Sequence, residues 1–148
     1  MMTITIYGLD QYIVGRLSRQ LTPLIAKLYG VDEDEISFMA PQLMVFHKGT
    51  EQTSWNILIK VDAPMGSEEY QDKMAELLIH GIGEVAIHKT VQFSYYDPEN
   101  TYQKIDENYP RFISEENLVD VEEEEYQDIE EGEEDDQIYT GDIFEGIK

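Results

Sequence analysis

Apolar residues recur along this chain in two rhythms, one with a period of two and one near 3.6, and the rhythms alternate. Residues 3–7 (TITIY) alternate as a half-buried strand does. Gly8-Leu9-Asp10 reads as a turn, with Asp10 placed to cap a following helix. Ile13, Val14, Leu17, Leu21, Leu24, Ile25 and Leu28 then form one apolar helical face, and Gly30 supplies the stop. Pro23 lies inside this run, and its missing N–H predicts a kink or a split near Thr22. A second strand is expected over 35–39, interrupted at Pro41 and resumed over 43–46. Residues 54–62 (SWNILIKVD) predict a third strand. Ser67 reads as the cap of a second helix, which opens on Glu68 and Glu69 and buries Met74, Leu77, Leu78, Ile79 and Ile82. A fourth strand is expected over 88–95, after which the pattern dissolves into polar, Tyr-rich chain.

The order strand–helix–strand therefore occurs twice. Right-handed crossovers place both helices on the same side. The predicted class is α+β: two βαβ units forming a four-stranded sheet with two helices on one face. Ile4, Ile6, Phe38, Ile57, Ile59, Val91 and Phe93 look like more apolar side chains than one covered face holds. The other face is then expected to need cover, for which self-association is the simplest source.

Composition narrows the function classes. The 148 residues are 41% hydrophobic and 11% aromatic, with no Cys, so one globular core is expected without disulfides or thiolate metal sites. No apolar run approaches the ~18 residues of a membrane helix. No basic segment followed by an apolar one marks the N-terminus, so a cytoplasmic protein is expected. The net charge of −22 is uneven: residues 1–113 carry 16 acidic and nine basic side chains, and residues 114–148 carry 16 and one. We read 1–113 as the folded domain and 114–148 as an acidic C-terminal tail. Such a balance disfavours nucleic acid, whose phosphates need a basic face. Leu118, Val119, Tyr126, Ile129, Ile138 and Phe144 interleave with the tail's acids, a pattern suited to docking on a basic protein surface or on the protein's own assembly.

APQLMVF (40–46) and VQFSYYD (91–97) resemble strands of the macrophage migration inhibitory factor family, and LSRQLTPLIAKLYG (17–30) is similar to its first helix. The resemblance spans roughly residues 2–102 and identifies a tautomerase-superfamily member, which implies a homotrimer. In that family an N-terminal proline, exposed by removal of the start methionine, serves as general base on a small enol or keto acid. An ordinary α-amino group titrates near ~8, and a buried, cation-lined pocket lowers that value. Here Met2 stands where the proline is expected, and a bulky second residue predicts that Met1 is retained. By the same resemblance the pocket positions fall on Met2, Val31, Gln92 and Ser94, where the family carries proline, lysine, tyrosine and asparagine. The 31–35 loop (VDEDE) is acidic, a poor setting for an anionic substrate.

These departures favour a binding or interaction protein that lacks proline-dependent tautomerase activity. The alternative is a divergent tautomerase or isomerase working through its N-terminal amine, with Met1, Met2 and Tyr95 as the catalytic candidates. A ferredoxin-like domain without the trimer shares the same element order. His47, His80 and His88 form no close-spaced set, so no metal site is expected, and no cofactor motif is present. Trp55 suits an edge or interface aromatic. Arg16, Arg19 and Lys27 are spaced for the solvent face of the first helix, where they are one candidate landing site for the tail.

Overall fold

A computed structural model describes residues 1–114, and the chain divides into two units, Met1–Lys104 and Ile105–Lys148. The sequence reading placed the boundary at 113/114. The acidic tail and its proposed docking lie outside the described residues, apart from Ser114. In the described part of the second unit the Arg111 guanidinium lies 5.2 Å from the Phe112 ring centroid.

The first unit holds strands β1 (Met2–Tyr7), β2 (Ile36–Met39), β3 (Phe46–His47), β4 (Thr50–Glu51), β5 (Asn56–Pro64) and β6 (His88–Tyr96), with helices α1 (Gln11–Tyr29) and α2 (Gln71–Ile82). The main sheet has the order β2-β1-β5-β6. β1 and β2 are parallel, β5 and β6 are parallel, and β1 runs antiparallel to β5. This is the predicted pair of βαβ units joined through their first strands.

Local chemistry sets the boundaries. The Asp10 side chain accepts the Tyr12 N–H at 2.8 Å, filling one of the orphan donors at the start of α1. Gly30 ends the helix in the left-handed region, φ 66°, and its N–H reaches the Ala26 carbonyl. Pro23 leaves α1 unsplit and is exposed on its outer side. Ser67 does not cap α2. Its hydroxyl donates to the Pro64 carbonyl at 2.6 Å, while Glu68 accepts the Gly66 N–H at 2.6 Å, and a 3-10 turn over Glu68–Tyr70 leads into the helix. The predicted strand over 43–46 shrinks to β3, because Pro41 ends pairing at Met39 and residues 40–45 are irregular. Lys48 and Gly49 both take positive φ, the geometry of a tight β3–β4 hairpin turn.

The core forms between one sheet face and the helices. Ile4 faces Phe38 and Val61, Ile6 faces Ile59, and Val91 and Phe93 sit beside Ile59 and Val61. Val14, Leu17, Leu21 and Ile25 of α1 and Met74, Leu78 and Ile82 of α2 close over them. Ile4, Ile6, Phe38, Ile57, Ile59, Val91 and Phe93 therefore share one face. The opposite face carries Thr3, Thr5, Ser37, Lys60, Asp62, Gln92 and Ser94. This corrects the expectation of a bare apolar face: cross-strand register places the apolar positions on the same side. Leu24 and Ile79, expected in the core, are exposed.

Candidate functional site

The topology brings three distant stretches to one end of the sheet. β1 starts there, and because β5 is antiparallel to β1 and parallel to β6, both of those strands end there, with Tyr96 opposite Pro64. Met2 pairs with Ile36 and is only 3% exposed, so its side chain belongs to the core. The Met1 amine donates to the Tyr96 hydroxyl at 2.8 Å and lies 3.5 Å from Glu35 Oε1. The Tyr96 hydroxyl in turn donates to the Met1 carbonyl. Burial, and then the negative charge of Glu35, push the Tyr96 phenol above its usual pKa. Met1 is thus tethered at both its amine and its carbonyl.

Beside this clamp lies a cavity of about 340 Å3. Met1 and Met2 form one wall. Tyr29, Val31 and Glu35 come from the end of α1 and the loop after it, and Pro64–Ser67, Glu69 and Tyr70 close the far side. The Tyr29 and Tyr70 rings pack 4.9 Å apart, tilted by 53°. The Tyr29 hydroxyl is buried and has no hydrogen-bond partner among the described residues. Burial, reinforced by nearby Tyr95, pushes its pKa up to about 12. No Lys, Arg or His side chain lines the cavity.

Of the candidate residues, the structure brings Met1, Met2 and Val31 to this cavity and leaves Tyr95, Gln92 and Ser94 off its wall. The Tyr95 hydroxyl donates to Gln71 Oε1 at 2.6 Å, and its ring stacks on Phe93. Its pKa is raised by burial and by the charges of Glu68 and Asp72. Gln92 and Ser94 alternate with Val91, Phe93 and Tyr95, so they point to the polar face of the sheet. The sequence reading missed the roles of Tyr96, Tyr29, Tyr70 and Glu69. Register could have placed Tyr96, since a parallel β5–β6 pair puts the last residue of each strand at the chain start.

Elsewhere in the unit, Arg16, Arg19 and Lys27 lie on the exposed side of α1 as read, and His47, His80 and His88 are exposed and scattered. The Trp55 ring meets His88 edge-on at 6.0 Å. Among the described residues no three His, Cys, Asp or Glu side chains converge as metal ligands, and no helix is long and apolar enough to cross a membrane.

No protein-family model matches the chain, and no curated protein matches it in sequence. Solved structures do. A domain of unknown function from Sebaldella termitidis is 19% identical at a TM-score of 0.63, covering 70% of this chain and 95% of that one. A macrophage migration inhibitory factor-like protein from Entamoeba histolytica is 10% identical at 0.55, covering 70% and 93%. A protein named fused 4-OT is 13% identical at 0.57, covering 68% and 91%.

Proposed function

From a chain with the tautomerase-superfamily fold, we propose a homotrimeric protein that works by binding at the β1-end cavity and lacks the proline-dependent reaction. The observation that carries this reading is Met2. It occupies the position at which the resemblance expects a catalytic proline, and its side chain is buried in the core. A proline base needs an accessible secondary amine, and a keto-acid substrate needs a cation to receive it. The cavity wall offers Glu35 and Glu69, and its one cation among the described residues, the Met1 ammonium, lies 3.5 Å from Glu35. The test is ketonisation of phenylenolpyruvate by purified protein across pH 6–9. We expect no turnover above buffer, and turnover would overturn the reading.

A second reading rests on the Met1 clamp. An amine fixed by Tyr96 and Glu35 beside a cavity is positioned as a proton carrier on a small enol or keto acid. It predicts turnover in the same assay that disappears when the amine is acetylated. Turnover that survives acetylation would exclude the amine as the base.

A further inference from the structure

The cavity at the start of β1 is apolar over most of its wall, and its charged groups are two carboxylates and the Met1 ammonium. Met1 and Met65 supply soft, polarizable surface, and the Tyr29–Tyr70 pair supplies aromatic faces. Glu35 and Glu69 are its charged side chains. The Met1 amine stands 3.5 Å from Glu35, while Glu69, on the opposite wall, makes no ion pair among the described residues. The whole chain carries −22, so its field concentrates cations and repels anions.

A second observation is independent of charge. Tyr29 is 8% exposed, forms part of the wall, and holds a hydroxyl without a partner among the described residues. Buried hydroxyls are nearly always hydrogen-bonded. This one is enclosed, so a bound polar atom reaches it only if the Tyr29 side chain shifts toward the cavity.

Resting on the binding reading above, we propose that this cavity holds a small organic cation: a primary or methylated amine carrying an apolar or aromatic body. Aromatic faces attract such cations, Glu69 complements their charge while Glu35 faces the Met1 amine, and Met1 and Met65 cover the apolar body. The volume of about 340 Å3 lies at the small end of ligand sites, which run from about 300 to 1,000 Å3. This preference is the reverse of the anionic one implied by the family resemblance. It follows from Val31, which lines the cavity where the resemblance expects a lysine, and from the acidic loop that ends at Glu35.

The test is calorimetric titration of the full chain with two probes matched in their phenyl body and opposite in charge, phenethylamine and 3-phenylpropionate. Phenethylamine is expected to bind once per chain, about tenfold or more tighter than the carboxylate. Val31 is 40% exposed, so Val31→Arg adds a cation at the mouth without entering the core. That change is expected to weaken the amine about tenfold, and Glu69→Gln about fivefold. If Val31→Arg fails to fold, the isosteric Glu69→Gln carries the test. Equal or tighter binding of 3-phenylpropionate overturns the proposal. So does the absence of binding by either probe, or amine binding that both variants leave unchanged, which would place the amine elsewhere on the acidic chain. The carboxylate binding without phenylenolpyruvate turnover would sink the cation preference and keep the binding reading. Turnover would remove the binding reading whichever probe binds.

Discussion

Tyr29 carries a cost that a phenylalanine would not. Its hydroxyl gave up water on folding and gained no protein partner among the described residues, and such a group costs about 1–3 kcal/mol. Tyr29→Phe is therefore expected to stabilise the ligand-free protein by about 1 kcal/mol, read as a higher urea midpoint at unchanged slope. The same residue sets a pH dependence. An unfolded tyrosine titrates near 10.0, and the folded Tyr29 near about 12. Below pH 10 both states keep the proton. Between 10 and 12 the unfolded chain releases it first, so stability falls as pH rises through that window. Tyr95 and Tyr96, also raised, add to the slope. Tyr29→Phe should flatten the slope without abolishing it, and an unchanged slope would mean that the phenol titrates alike in both states. Met2 shows how one residue changes jobs: the resemblance marks it as a missing base, and the structure uses it as the first core residue of β1.

At the scale of elements, caps and periods did most of the work, and they were readable. Asp10 caps α1 as its position before the apolar run predicts, and Asp10→Ala is expected to cost about 1 kcal/mol in chemical denaturation. A loss indistinguishable from zero would show that packing of the α1 face holds that end without the cap. β1, α1, β5, α2 and β6 each lie within two or three residues of their predicted bounds because each carries a sustained apolar period. Failures came where a local signal had two solutions. Ser67 is a good cap residue, but its hydroxyl donates to the Pro64 carbonyl and makes no bond to a helix N–H. Leu24 and Ile79 fit the helical period at its margins and fall outside the stripe that the sheet covers. The bare apolar face was misread because period two says that residues alternate, while cross-strand pairing decides which side they share. The candidate site divides the same way. Met1, Met2 and Val31 could be placed through the resemblance. The clamp of Tyr96 and Glu35 depends on where β6 ends against β5 and β1, which no single segment encodes.

For the whole molecule, the proposed trimer needs a different argument from the one the sequence suggested. The open sheet face is mostly polar, so the surface that calls for cover lies elsewhere. Met44, Phe46, Trp55 and Ile87 are each at least half exposed. They gather at the end of the sheet opposite the cavity, where Gln52 bonds the Val45 carbonyl, Ser54 bonds that of Gly8, and Ile87 bonds that of Ser54. Large apolar groups collected on one rim mark a contact surface. The strands β2 and β6 also present open edges beside it. Association must overcome −22 charges on every chain, a repulsion that salt screens over about 8 Å at physiological ionic strength. Light scattering is therefore expected to give three times the 17.2 kDa chain mass, with the assembly tightening as salt rises. Phe46→Glu, which puts a charge on the rim and leaves the core untouched, should shift the mass toward a single chain. A single-chain mass for the unaltered protein at every salt and concentration would refute the trimer and favour a solitary ferredoxin-like domain. A trimer unmoved by Phe46→Glu would instead send the contact to the sheet edges.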